Sequence, residues 1–177
     1  MPHAVRAVTA EEARRLADGL ADILVDCVEG GASVSFMSPF SKEEALAFWL
    51  GEVVPEVERG ETLLFVAEEA GVPVGTVQLG FAMRPNQPHR ADVKKLLVRT
   101  AARGRGIGEA LMRALEDGAM EHGRTVLVLD TASGPAERLY ERMGFSRVGI
   151  VPDYALWPQG GFCDTLFMYK RLAPAAG

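Results

Sequence analysis

The chain has 177 residues, of which 48% are hydrophobic and 24% charged, with a formal net charge of −5. This length suits one domain with a substantial core, expected to span residues 1–177, and excludes two domains of ordinary size. The negative balance provides no field that attracts nucleic acid or an anionic membrane. Since no apolar segment approaches the roughly 18 residues that span a bilayer, and the N-terminus lacks a signal-peptide core, a cytoplasmic location is predicted.

Two helices are predicted in the first third of the chain. Thr9 and Glu12 form a capping-box pattern, and apolar residues then recur at helical spacing. Ser41 and Glu44 repeat the capping box and open a second helix. Pro55 is expected to kink or end this second helix, because proline donates no backbone hydrogen bond.

The β-rich runs TLLFVAEE and VPVGTVQLGFA come next, and the Ala70-Gly71 turn between them predicts an antiparallel hairpin. The segment ADVKKLLV then predicts another strand. Two cysteines, Cys27 and Cys163, are far apart and lack Cys-x-x-Cys spacing. They favour reduced thiols over a disulfide framework or a zinc site, so no metal is expected.

A glycine-rich stretch, AARGRGIG at 101–108, joins that strand to an amphipathic helix. A strand, a glycine turn and a helix start together form an anion site, because the first amides of a helix have no partner within it. Glycines let a pyrophosphate approach the backbone, and arginines add charge-assisted contacts. The residues with these two roles are Arg103, Gly104, Arg105, Gly106 and Gly108. A glycine corner with solvated arginines is the structural alternative.

The rest of the chain reads as a helix to about Gly123, the buried strand TVLVLD, the helix GPAERLYERMG, and the strands SRVGIVPDYAL and CDTLFMYKRL. Residues 171–177 are expected to form a flexible tail. Strands and helices in this order predict an α/β domain with a mixed sheet and helices on both faces.

Two motifs resemble the signatures of the GNAT superfamily of N-acetyltransferases. Arg103-x-x-Gly106-x-Gly108, after KKLLV, resembles the superfamily's acyl-CoA pyrophosphate loop, and AERLYERMGF resembles its second signature. The segments GGASVSFM, NQPHRADVKKLLV, LDTASG and RVGIVPDYA are similar to the tabtoxin-resistance acetyltransferases. The resemblance implies the GNAT fold, a mixed, mostly antiparallel seven-stranded sheet that is splayed between its two central strands.

The same resemblance implies that acetyl-CoA is the cosubstrate. Its pyrophosphate would lie on the amides of residues 103–108, and its pantetheine arm would pair with the strand edge at 96–98, where the Val98 N–H would be an oxyanion donor. Ser133 stands where many members have an asparagine that touches this arm. The implied cofactor-binding residues are Leu97, Val98, Arg103, Gly104, Arg105, Gly106, Ile107, Gly108, Ser133 and Ala136.

Three residues are catalytic candidates. Asp92 matches a general-base glutamate of several superfamily members, and strand alternation is expected to put it on the same face as Val98. Asp130 ends the TVLVLD run, at the carboxyl end of a strand, where open α/β sheets bind ligands. Tyr140 falls on the superfamily tyrosine that points at the cofactor sulfur, and it would protonate the thiolate. Capping or loop aspartates and a core tyrosine are the structural alternatives.

The loops GGASVSFM, PNQPHR and PDYALWPQGG are expected to select the acceptor, with Ser33, Phe36, Tyr154 and Trp157 as candidate contacts. The resemblance implies direct acetyl transfer, in a ternary complex, to a small amino-acid-like amine, including a β-lactam toxin such as tabtoxinine-β-lactam. A protein α-amine or a polyamine is an alternative acceptor, and a catalytically silent acyl-CoA sensor is an alternative of another class. A homodimer is left open, because dimers are frequent in the superfamily.

Overall fold

Residues 3–132 and 134–173 are described by a computed structural model of the protein. Its strands are β1 Ala4–Val8, β2 Thr62–Glu69, β3 Val72–Phe81, β4 Arg90–Val98, β5 Val126–Thr131, β6 Ser146–Leu156 and β7 Phe162–Arg171. Its α-helices are α1 Ala10–Glu29, α2 Lys42–Phe48, α3 Val54–Glu58, α4 Ile107–Glu121 and α5 Pro135–Arg142.

The strands form one mixed sheet in the order β1-β2-β3-β4-β5-β7-β6. Neighbouring strands are antiparallel except for β4 and β5, which are parallel. Helices α1, α2 and α3 pack on one face of the sheet, around Leu24, Trp49 and Leu64. Helices α4 and α5 pack on the other, around Leu111 and Tyr140. The predicted α/β class with helices on both faces is confirmed.

Both predicted capping boxes are present. The side chain of Thr9 accepts from the Glu12 N–H at 3.2 Å while the Glu12 carboxylate accepts from the Thr9 N–H at 2.8 Å. Ser41 and Glu44 make the same reciprocal pair at 3.1 and 2.8 Å. Each box satisfies amides that have no partner within the helix, so it fixes where α1 and α2 begin.

The helix around Pro55 is continuous rather than broken. A π-helical segment, Trp49–Val53, joins α2 to α3, and the Val54 N–H donates to the Trp49 carbonyl. Pro55 cannot donate to the carbonyl of residue 51, and its ring crowds that carbonyl in a regular α-helix. The wider π turn accommodates the proline at the start of α3.

Two features at the ends of the chain differ from the sequence expectations. Periodicity alone did not indicate β1, a five-residue edge strand that pairs with β2. Residues 171 and 172 do not belong to a flexible tail, because β7 includes Arg171 and Leu172 is buried, with its N–H donating to the Thr125 carbonyl at 2.9 Å. Residues 174–177 of the expected tail lie outside the described part of the chain.

The close packing of α4 on the sheet predicts the effect of a methyl group at Gly118. A Cβ there would lie 2.7 Å from Cζ of the buried Phe65. Gly118→Ala should therefore lower the free energy of unfolding by about 1–2 kcal/mol, the cost of overpacking less the gain in helix propensity. Urea denaturation measures this change.

Gly51→Ala is the matched control, because Gly51 is exposed and a Cβ there would meet no atom within 4 Å. Alanine at this helical position should leave stability unchanged or raise it by up to about 1 kcal/mol. Equal effects of the two substitutions would contradict the packing described for α4.

Candidate active site

A β-bulge interrupts β4 at Lys95. Gln78 of β3 lies opposite Lys94, but Thr76 lies opposite Leu97, so Val77 faces two residues of β4. Lys95 has a φ of 49°, in the left-handed region. A bulge of this kind inserts an extra residue and reverses which face the later side chains occupy.

The expectation that Asp92 and Val98 share one face of the sheet is wrong, because the bulge lies between them. Before the bulge, Ala91 and Val93 pack in the core under α4 and α5. After it, the even-numbered Val98 packs against that same core. Simple alternation therefore fails between residues 92 and 98, and the Asp92 side chain lies on the opposite face, towards α3.

An opening separates β4 from β5. Within the described part of the chain, the two strands pair only at Arg90–Asp92 with Val126–Val128 and separate beyond Asp92. The Arg99 N–H donates to the Val74 carbonyl on β3. Because adjacent residues direct their amides to opposite edges of a strand, the Val98 N–H points to the β5 side, into the opening. This is the splay expected between the two central strands.

The loop after β4 leads directly into α4. Gly104 and Gly106 have φ angles of 74° and 79°, and a Cβ at either would meet no protein atom within 4 Å. Gly106 is the N-cap of α4 and supplies no side-chain cap. The left-handed glycines and the uncapped helix start leave room and free amides for an anion, as a pyrophosphate requires.

Other residues of this loop have more structural roles than expected. A Cβ at Gly108 would lie 3.1 Å from Leu139 Cδ2, so this glycine allows α5 to approach α4. The side chains of Leu97 and Ile107 are buried in the cores and leave only backbone groups for a ligand. Ala136 is half-buried against the core under α4.

The two arginines of the loop are directed at protein groups. Arg103 donates from Nε to the Val98 carbonyl at 3.1 Å and from Nη2 to Cys27 Sγ at 3.7 Å. Arg105 pairs with Glu69 of β2. Both guanidiniums thus hold the loop against the sheet and α1, instead of standing free for an anion.

Asp92 is half-buried in a cleft lined by residues of α3, β2, β3 and β4, including Glu56, Thr62 and Lys94. Arg90 Nη1 donates to its Oδ1 at 2.7 Å. Burial raises the pKa of Asp92, the positive charges of Arg90 and Lys94 oppose that rise, and the negative charge of Asp130 adds to it. Asp92 thus holds its proton to a higher pH than an ordinary aspartate.

Asp130 lies on the same face of the sheet as Asp92, because Leu127 and Leu129 occupy the core on the opposite face. The buried hydroxyl of Thr165 on β7 donates to Asp130 Oδ2 at 3.0 Å and orients the carboxylate. Asp130 also acts on the groups around it, since its charge contributes to the raised pKa values of Asp92 and of Tyr140.

Tyr140 lies on the other face, in the core under α4, with its ring 5.7 Å from that of Phe145. Burial raises its pKa above the usual range of tyrosine, with a smaller contribution from Asp130. The phenol therefore stays protonated at neutral pH and is a weaker acid than the sequence suggests. The two carboxylates thus lie on one face of the sheet and the tyrosine on the other, and the charge of Asp130 contributes to the pKa of both other candidates.

Two of the expected acceptor loops meet at one end of the sheet. The Ser38 N–H in the loop between α1 and α2 donates to the Pro158 carbonyl in the loop between β6 and β7, at 2.9 Å. Gln159 Nε2 donates to the carbonyl of Glu29 at 3.3 Å, and the Glu29 carboxylate accepts from the Phe40 N–H at 2.7 Å. These contacts hold the two loops together.

The four expected acceptor contacts lie in or next to these loops. Ser33 and Phe36 belong to the first loop, where the Phe36 ring is 5.2 Å from that of Phe48. Tyr154, near the end of β6, contacts Phe167 edge-on at 5.8 Å. Because Phe167 is the register partner of Asp130, Tyr154 lies on the face of the two carboxylates. Trp157 opens the second loop and donates from its backbone to Gly161.

Three residues at the site were not predicted from the sequence. Arg90 binds Asp92, Thr165 binds Asp130, and Lys95 reaches the loop between α1 and α2. Thr165 pairs with Asp130 across two strands that are far apart in sequence, and no local pattern signals such a contact. The Lys94-Lys95 pair inside an otherwise apolar strand was the only hint of a bulge.

The remaining predictions concern Ser133, metal binding and membrane-spanning helices. Ser133 lies outside the described residues. Within residues 3–132 and 134–173, no group of three or more His, Cys, Asp or Glu side chains could hold a metal ion. In the same ranges, no helix combines the length and hydropathy needed to cross a membrane.

The model of the acetyltransferase (GNAT) family matches residues 20–145, which include the opening, the loop and all of α5. The chain belongs to the GNAT family. This membership confirms the N-acetyltransferase class that the two motifs predicted.

Known relatives agree with this membership. An uncharacterised N-acetyltransferase of Azospirillum brasilense is 31% identical over 82% of this chain and 87% of its own length. An L-methionine sulfoximine/L-methionine sulfone acetyltransferase of Pseudomonas aeruginosa is 32% identical over 66% of this chain and 68% of its own. The structure of a phosphinothricin acetyltransferase from Sinorhizobium meliloti with acetyl-CoA has a TM-score of 0.76 and 22% identity, covering all of this chain and 95% of that one. This last similarity confirms the GNAT fold.

The electrostatics of the site predict how Asp92 titrates. Asp130→Asn should lower the pKa of Asp92, because it removes a nearby negative charge, and Arg90→Gln should raise it, because it removes the paired cation. Carbon-13 NMR of the Asp92 carboxyl group, followed as a function of pH, measures both shifts.

Asp117→Asn is the control, because Asp117 is exposed on α4 and is not among the groups that shift the pKa of Asp92. A pKa of Asp92 that is unchanged in both Asp130→Asn and Arg90→Gln would contradict the electrostatic environment described above.

Proposed function

We propose that this protein transfers the acetyl group of acetyl-CoA to the amine of a small, amino-acid-like molecule. The observation that carries the proposal is the opening between β4 and β5, because Asp92 and Asp130 are on the two strands that border it and a loop with an uncapped helix start follows β4. The relatives that act on methionine sulfoximine and phosphinothricin support a small amino-acid-like acceptor. A β-lactam amino-acid toxin belongs to the same chemical class.

The proposed site fits acetyl-CoA at its two ends. The pyrophosphate would lie on the amides of residues 103–108, with Gly104 and Gly106 leaving the backbone accessible. The pantetheine arm would pair with the free edge of β4. The Val98 N–H, which points into the opening, would then stabilise the oxyanion, and such a donor contributes about 3–4 kcal/mol to lowering a barrier.

Groups on opposite faces of the sheet would carry out the proton transfers at the amine and at the sulfur. An alkylammonium is mostly protonated at neutral pH, so Asp92 and Asp130 would first attract it and accept its proton, directly or through water. The nitrogen then forms a bond to the acetyl carbon and loses a second proton to water, and the carbon–sulfur bond breaks. Tyr140, on the opposite face, would give its proton to the departing sulfur and recover, through water, the second proton that left the nitrogen. The products are the acetamide, CoA with a free thiol, and one released proton.

A CoA-release assay over matched acceptors tests the proposal. L-Methionine sulfone, L-methionine sulfoximine, phosphinothricin and a β-lactam amino acid should release CoA faster than spermidine or a peptide with a free N-terminal amine. Faster release of CoA with spermidine or with the peptide would show that the acceptor is a polyamine or a protein α-amine. Binding of acetyl-CoA without release on any acceptor would favour an acyl-CoA sensor.

The same assay tests the residue roles. Tyr140→Phe and Asp130→Asn should each lower kcat about 10²- to 10⁴-fold, the range of general acid–base catalysis, without a matching change in acetyl-CoA affinity. Asp117→Asn is the exposed control on α4. Full turnover by both active-site variants would show that neither group moves a proton in the rate-limiting step.

We also propose that two copies pair along β6, an edge strand with the exposed side chains of Val148 and Ile150. A long apolar edge can pair with itself about a twofold axis, which satisfies its free amides and carbonyls. Sedimentation equilibrium should give the mass of two chains for the wild type and of one chain for Ile150→Lys. Val72→Lys, on β3, should stay dimeric, and a monomeric wild type would contradict the proposal.

A further inference from the structure

Lys95 is a cation without an ion-pair partner at the edge of the proposed site. Its Nζ donates to the Val34 carbonyl at 3.1 Å and to Ser35 Oγ at 3.2 Å, so an ammonium with three donors has one N–H to spare. It also lies 5.5 and 5.3 Å from the centres of the Phe36 and Phe48 rings. Among the residues described, no carboxylate lies within ion-pair distance of Lys95, whereas Arg90 pairs with Asp92 and Lys94 with Glu56.

The surroundings of Lys95 make an anion a favourable partner. The pKa of Lys95 is lowered by burial and by the charge of Lys94, whereas Glu52 and Asp130 raise it. The ammonium has therefore lost part of its hydration without gaining a direct counter-ion. An anion that reaches the ammonium would form a charge-assisted hydrogen bond with it. The desolvation cost of that bond is reduced, because Lys95 has already lost part of its hydration on folding.

The bulge sets where Lys95 lies relative to the two carboxylates. Lys95 is three residues after Asp92 on β4, and its contacts are all with the loop between α1 and α2 and with α2. That is the face of the sheet on which Asp92 and Asp130 lie. Asp92 and Asp130, which attract an ammonium, thus lie on the same face as Lys95, which attracts an anion. All three are beside the opening between β4 and β5.

We infer that Lys95 binds the carboxylate, or an equivalent anionic group, of the acceptor, and so selects zwitterionic α-amino acids over amines without an anion. This inference rests on the proposed function and narrows its acceptor class. Ser35, whose φ of 84° presents its hydroxyl beside Nζ, is placed to donate to the same anion. The positive charge of Lys95 also disfavours a polyamine, because a second ammonium would be repelled there.

The simpler role for Lys95 is to hold the loop between α1 and α2 in place. A residue that only holds the loop affects every acceptor alike, whereas a residue that binds the carboxylate affects only acceptors that have one. The comparison of an acid with its own ester separates the two roles, because the ester keeps the amine and the side chain and loses the negative charge.

The test uses L-methionine sulfone and its methyl ester with the wild type and Lys95→Met. The wild type should favour the acid in kcat/KM by about 10- to 100-fold, the range for a hydrogen bond to a charged group, and Lys95→Met should lose most of that preference. Turnover of the ester should change less than about threefold, the scale of context effects of under 1 kcal/mol. Lys95→Arg should restore part of the preference, and Lys42→Met, at a partly exposed lysine paired with Asp18 and Asp22, should keep the ratio.

Calorimetric titration of acid and ester into the CoA-bound protein separates this inference from the proposed function. If no acceptor is acetylated but the wild type alone binds the acid more tightly than the ester, the proposed function fails and the role of Lys95 stands. Equal losses for acid and ester in Lys95→Met, or a wild type that does not distinguish them in rate or binding, would overturn the carboxylate role.

Discussion

The incomplete pairing of β4 with β5 is the constraint on which the rest of the site depends. The strands pair at three positions and then separate. Separation leaves backbone groups at the edge of β4 without a strand partner, and buried groups of this kind are costly unless a ligand or water satisfies them. In the proposed function, the opening binds the extended pantetheine arm, and the two carboxylates and Tyr140 act there from opposite faces of the sheet.

The bulge at Lys95 determines which groups meet there. It turns Asp92 towards α3 while Val98, six residues later, packs under α4. The carboxylates and Lys95 therefore share the face covered by the acceptor loops, and Tyr140 lies under α4 and α5. A regular strand would have put Asp92 and Lys95 on different faces, because they are three residues apart. One extra residue in β4 therefore brings the side chains of Asp92 and Lys95, three positions apart, to the same face of the sheet.

The elements of the fold with strong local signals were predictable. The capping boxes, the hairpin around Gly71 and the glycine turn before α4 all follow from residue chemistry that acts over a few positions. The features that were missed depend on distant contacts. Edge strand β1 pairs with a strand more than 50 residues later, and Thr165 orients Asp130 across neighbouring strands. Arg103 was expected to contact the pyrophosphate, but its observed partners, Val98 and Cys27, become its neighbours only after folding.

A crystal structure of the complex with acetyl-CoA would show whether the cofactor binds in the opening between β4 and β5. We expect the pyrophosphate on the amides of residues 103–108, the pantetheine arm along the free edge of β4, and the thioester between the carboxylates and Tyr140. The thioester oxygen should lie about 3 Å from the Val98 nitrogen, the distance of a hydrogen bond. Acetyl-CoA bound away from the opening, or with its thioester remote from Asp92, Asp130 and Tyr140, would contradict the proposed site.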